Sequence, residues 1–199
     1  MSATITNAQA QAFSLRNLYY TRTVVQLVWA GVIMATAAGN PVLAAGLLVL
    51  YPLWDVACTV YDLRSASRSN SGTPTAQYVN AALGTLAAAG IAGTAFRSPH
   101  QAVVVFGLWA FAAGAAQLAV GIARRGQLGG QWAMILSGAQ SALAGVVFVL
   151  GGLHGTKQIS DLGRYAIFGG VYFLIAGVLM HRKVSKGQMA GATIAQSRG

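Results

Sequence analysis

The stretch Tyr51-Pro52-Leu53-Trp54-Asp55-Val56-Ala57-Cys58-Thr59-Val60-Tyr61-Asp62-Leu63-Arg64 closes a run that is otherwise apolar from Pro41 onward. From Pro41 to Leu63 that run is long enough to cross a bilayer as a helix, which takes about 20 residues. Asp55 puts a carboxylate where hydrocarbon is expected, and an acid in lipid is expensive unless it is paired or functional. Pro52, one turn earlier, cannot donate its backbone hydrogen bond to the carbonyl of Leu48, so a helix kink is expected beside the acid.

The rest of the chain agrees with a membrane setting. Of 199 residues, 55% are hydrophobic and only 8% charged, far below the roughly 25% charged of soluble domains. Twenty-five glycines and many alanines suit helices that approach closely in lipid. The net charge of +10 sits almost wholly between the apolar runs, where it sets topology; a nucleic-acid stripe is not its pattern. One cysteine, Cys58, excludes an internal disulfide framework.

Outward from the second run, Gly39-Asn40-Pro41 is a tight break that makes an antiparallel hairpin with the run before it. The spacing predicts six crossings at about 23–38, 41–63, 75–96, 101–123, 131–152 and 165–180. Residues 1–22 read as a disordered start ending in an aromatic and basic headgroup anchor, Phe13 to Arg22. Residues 64–74 read as a solvated loop, and 184–199 as an unstructured cytoplasmic tail. Ten of the Lys and Arg residues lie at the two ends and in the loops after Leu63 and Ala123. The opposite connections hold only Arg97, Lys157 and Arg164. Both termini are therefore expected in the cytoplasm. The predicted fold is all-α and integral to the membrane, with six transmembrane helices forming three hairpin repeats in one bundle. Gly46 and Arg64 against Gly107 and Arg125 suggest a period of 61, with Asp55 opposite Ala116.

The three short hairpins, together with Gly129-Gly130-Gln131-Trp132 leading into Ile135-Leu136-Ser137-Gly138, resemble the HdeD-like membrane proteins over roughly residues 23–183. The resemblance implies a six-span protein of the bacterial inner membrane, non-enzymatic, linked to acid or envelope stress. It brings no catalytic residue.

Chemistry is sparse. Tyr51, Asp55, Cys58, Thr59 and Asp62 share one helix face through spacings of three and four. Asp55 lies about 13 Å deeper than Arg64 along the axis. The face reads either as an interhelical clamp or as a proton or cation acceptor in a polar cavity, with Pro52 as hinge. Candidate partners are Gln26, Tyr78, Asn80, Gln117, Ser137, Gln140 and Ser141. The expected buried polar cluster is Asp55, Cys58, Asn80, Gln117, Gln140 and Ser141, with Asp55 and Gln140 in one group. His100 and His154 with Asp161 are candidate pH-sensing groups on the outer side. His181 belongs on the inner side, so no haem or metal site is expected and no cofactor is implied. Nucleophile-elbow, zincin, P-loop and dinucleotide signatures are missing. Expected partners are the lipid bilayer and either a second copy or another membrane protein, with no nucleic acid. A small transporter or channel using Asp55, and an assembly partner acting through helix packing, stand as alternative functions.

Overall fold

The computed structural model describes residues 2–67, 75–123 and 132–196. Among them the chain is all-α: α1 (Ser2–Thr36), α2 (Pro41–Ser67), α3 (Thr75–Thr94), α4 (Pro99–Ala123), α5 (Trp132–Leu153) and α6 (Ile159–Gln196). The loop 68–74 and the segment from Arg124 and Arg125 to Gln131, with its Gly129-Gly130 pair, lie outside the described residues.

Four helices are long and apolar enough to cross a membrane, over Pro41–Arg64, Pro99–Ala123, Ile135–Leu153 and Ile159–Arg182. The fold is thus an all-α membrane bundle. α1 and α3 are more polar because they carry Arg22, Gln26, Gln77 and Asn80. They join the bundle with those groups turned to neighbouring helices. Three expectations are corrected. Residues 2–22 are not a disordered start but the first half of a 35-residue α1, because an Ala-, Gln- and Leu-rich segment without Gly or Pro favours helix. The tail likewise continues α6 to Gln196. Asp161 and Arg164 lie on α6 and not in a loop.

The turns at Asn40 and Ser98 explain the register. Asn40 caps α2, its Oδ1 accepting the Leu43 N–H at 3.0 Å, with Pro41 at the first helical position. The turn into α4 repeats the pattern. Asn40 and Ser98 both donate to a threonine carbonyl, Thr36 or Thr94, at 2.8 Å, and Ala44 and Ala102 both close the next turn. Buried residues repeat in the same register. Ala44, Ala45, Leu48, Tyr51 and Pro52 match Ala102, Val103, Phe106, Trp109 and Ala110. Trp29, Ala30 and Ile33 match Ala87, Ala88 and Ile91. The structural period is therefore 58, as between Pro41 and Pro99, and Asp55 falls opposite Ala113. The period of 61 pairs Gly46, where an added Cβ would meet nothing within 4 Å, with Gly107, where it would meet the α5 backbone, so the two glycines are not packed alike. A core face cannot slip without exposing itself to the wrong neighbour.

The third copy has a longer turn. α5 ends in a Schellman motif with Gly155 at φ 68, where Thr156 N–H reaches Gly151 O at 2.8 Å and Gly155 N–H reaches Gly152 O at 3.2 Å. Asp161 Oδ2 then accepts the Gln158 N–H at 3.0 Å and starts α6.

The hairpins exist by connectivity, but the closest packing runs between them: α2 on α3, α4 on α5, and α6 on α1. Glycine spacing explains the two tightest seams. Gly107, Gly114 and Gly121 on α4 recur every seven residues, as do Gly138, Gly145 and Gly152 on α5. A Cβ on Gly114 would sit 2.5 Å from the Ala142 backbone nitrogen, and one on Gly138 would sit 2.6 Å from that of Leu118. The two backbones are in direct contact, so only glycine fits. On α6, Gly163, Gly170 and Gly177 receive Met34, Leu27 and Tyr20 of α1, also seven apart.

Candidate functional site

Phe106 of α4 is fully buried and forms the centre of the bundle. Its ring lies 5.8 Å from Tyr51 of α2, 6.0 Å from Phe148 of α5 and 5.8 Å from Tyr165 of α6, with Trp109 at 5.3 Å. Trp29 adds a further ring 4.4 Å from Tyr51. These edge-on and tilted arrangements fill the interior with interlocking aromatic rings.

The polar site lies between α1, α2 and α3. Arg22 of α1 forms an ion pair with Asp55 of α2 through Nη2 and Oδ1. Their side chains are only 15% and 16% exposed. Asn80 of α3 donates from Nδ2 to the other carboxylate oxygen, Oδ2, at 2.8 Å, and to Thr59 Oγ1 at 3.0 Å. Thr59 in turn donates to the Asp55 carbonyl at 2.9 Å. The Arg22 guanidinium stacks over Phe173 of α6, 4.2 Å from the ring centroid, and Tyr19 lies against the same ring at 6.0 Å. One carboxylate therefore ties three helices together, and its cation rests on a fourth. Cation–π contact and two charge-assisted hydrogen bonds offset part of the desolvation of the pair.

One turn further into the bundle, Gln26 donates to Tyr51 Oη at 2.7 Å, while its Oε1 is buried without a partner among the described residues. Trp29 Nε1 donates to the Leu47 carbonyl at 2.7 Å. That contact lies in the turn where Pro52 leaves a carbonyl unclaimed, and α2 runs on as a single helix through Pro52. A cleft of about 390 Å³ opens beside it, lined by Gln26, Trp29, Tyr51 and Trp54 among others.

The other expected residues fall as follows. Cys58 is buried close enough to Arg22 to feel its charge, and Asp62 accepts a hydrogen bond from Gln77. Gln117 is half-buried on α4, and Tyr78 is exposed. Ser141 bonds Tyr165 Oη at 3.0 Å. Gln140 does not join Asp55: it lines a second cleft, of about 300 Å³, between α5 and α6 with Lys157, Asp161 and Arg164. The reason is rotational. Gln140 lies on the hairpin-facing side of α5, and Asp55 on the side of α2 turned to α1 and α3. His100 Nδ1 donates to the Lys157 carbonyl at 3.2 Å, and His154 Nδ1 to its own helix end at Leu150, at 2.7 Å. Asp161 is occupied by its cap and by Arg164 at 3.8 Å. The two histidines and Asp161 thus gather at the α5–α6 turn, each engaged with a different backbone group there. Among the described residues no group of three His, Cys, Asp or Glu is arranged to hold a metal ion.

Arg22 is the participant that sequence reasoning missed. It precedes the first apolar run and reads as a headgroup anchor. A signal was present all the same, because Arg22, Gln26, Trp29 and Ile33 share one helix face at spacings of four, three and four. Fold and site together define a membrane bundle with an internal, part-buried ion pair. No family model, curated protein or solved structure matches the chain.

Proposed function

We propose that the chain is a non-enzymatic membrane protein of the HdeD-like kind that acts through the packing of its bundle, and that the Arg22–Asp55–Asn80 group is a structural clasp. The reading places it in the bacterial inner membrane with both termini in the cytoplasm, serving acid or envelope stress. The observation that carries it is the occupancy of Asp55: one oxygen faces a guanidinium and the other an amide. A carboxylate so engaged holds helices together. The ring-filled interior around Phe106 supports the same reading. The HdeD-like part of the reading rests on the sequence resemblance over roughly residues 23–183.

A second reading has Asp55 as the coupling group of a small proton or ion transporter. What favours it is the position of an acid and a base facing each other inside a membrane bundle, where exchange of partners on protonation would move a charge. Proteoliposome flux separates the two. The clasp reading expects wild-type vesicles to carry no more proton flux than empty ones, and Asp55→Asn to unfold at lower temperature. Wild-type flux that disappears in Asp55→Asn at unchanged stability would overturn it.

A further inference from the structure

α5 and α6 are consecutive helices joined by a short turn, yet they touch each other far less than α5 touches α4 or α6 touches α1. The gap between them is the cleft of about 300 Å³. Its floor is Ala144, Val147, Phe148 and Phe168, and its mouth carries Lys157 and Arg164. Val147 and Phe168 are 51% and 56% exposed, on faces turned towards lipid. Lys157 stands in the turn before α6, its stem lying across Gly151 of α5, and Arg164 lies one helical turn and a half inside, with its side chain 74% exposed. Gln140 marks the deep end, 13 residues before the end of α5, or about 20 Å along the axis.

The charges at the mouth do not cancel. Asp161 is the acid there, and it is engaged by the Gln158 N–H at 3.0 Å. Its approach to Arg164, at 3.8 Å, is an exposed pair of little energetic weight. Two cations with one committed acid leave a net positive mouth above an apolar trough. That trough runs about as far as one leaflet of hydrocarbon, roughly 15 Å.

We infer that the α5–α6 cleft is a binding site for one anionic phospholipid, its phosphate held by Lys157 and Arg164 and an acyl chain lying on Ala144, Val147, Phe148 and Phe168. The chemistry selects this occupant. A zwitterionic lipid offers no net charge to the mouth, a free phosphate makes no use of the trough, and a second copy of the chain would have to bury two cations. Basic pockets between membrane helices bind anionic headgroups on the same principle. The site lies in the leaflet on the side of the 154–158 turn and is independent of the clasp.

The test uses the purified full chain in a neutral detergent, with thermal unfolding followed by tryptophan fluorescence. Phosphatidylglycerol is expected to raise the midpoint saturably, while phosphatidylcholine at equal concentration and glycerol phosphate leave it unchanged. Lys157→Gln, which keeps most of the half-buried stem over Gly151, combined with Arg164→Gln at an exposed position, should raise the half-saturating phosphatidylglycerol concentration about tenfold. Ala144→Trp, which fills the trough, should abolish the response with the headgroup cations intact. Equal shifts with both lipids, a response to glycerol phosphate alone, or an undiminished response in the double variant would each overturn the site. A lipid-independent dimer cross-linked through Val147→Cys would overturn it in favour of a second copy.

Discussion

Along α4 and α5, Gly114 and Gly138 bring two backbones together with no side chain between them, whereas α1, α2 and α3 are joined by Arg22, Asp55 and Asn80. Lipid tails are as apolar as leucine, so a hydrophobic helix gains little from burying itself against another in a membrane. Close association therefore needs direct backbone contact or polar partners. The glycine seam uses the first, and its register is set by a seven-residue spacing that recurs on both helices. The clasp uses the second. It is conditional, because each partner is tolerable in the interior only while the other is present.

The comparison breaks most visibly if one member of the ion pair is removed. Asp55→Ala leaves the Arg22 charge buried and is expected to destabilise the protein by about 3–5 kcal/mol in denaturant unfolding from micelles. Replacing both, as Arg22→Leu with Asp55→Leu, is expected to return stability to within about 1 kcal/mol of wild type. A double variant as unstable as the single one would show that the site matters for something other than charge balance.

A side chain in the glycine seam comes next. Gly114→Leu has no space against Ala142 and should cost about 2–3 kcal/mol through separation of α4 from α5. Gly39→Ala, with nothing within 4 Å of the new Cβ, serves as the matched control and should be close to neutral in the same melts. If the two substitutions behaved alike, backbone contact would not be what holds that seam.

Smaller effects sharpen the picture. Asn80→Ala removes two hydrogen bonds but leaves the ion pair, so a loss of about 1–2 kcal/mol is expected, well below that of Asp55→Ala. Trp54 Nε1 is buried without an acceptor among the described residues. Trp54→Phe should therefore change stability by less than about 1 kcal/mol, or raise it, since it removes an unsatisfied donor. A large loss there would mean that the indole N–H has a partner in the membrane.

Apolar runs of bilayer length, the break at Asn40-Pro41 before the second run, and an acid inside that run are local properties. Each depends on residues within a turn or two of one another, and each was legible from the amino-acid sequence. Asn80 was legible as a partner for Asp55 because few polar residues interrupt the neighbouring runs. The exclusion of Gln140 was not, because a helix's rotation within a bundle is set by its neighbours on both sides. Nor was the structural period of 58, since equivalent positions are set by which helix faces pack, and Gly46 and Gly107, which suggested 61, are not packed alike.

What the sequence by itself determined is that this chain is a helical membrane protein built from repeated hairpins with one interior carboxylate, because hydropathy and helix caps act over short separations. Only the tertiary structure decided that the tight seams run between hairpins, that Arg22 is the counter-charge, and that α5 and α6 stand apart. Those outcomes depend on which faces meet between residues 20 or more apart in the chain, and a glycine or an arginine on one helix carries no mark of the helix it will touch.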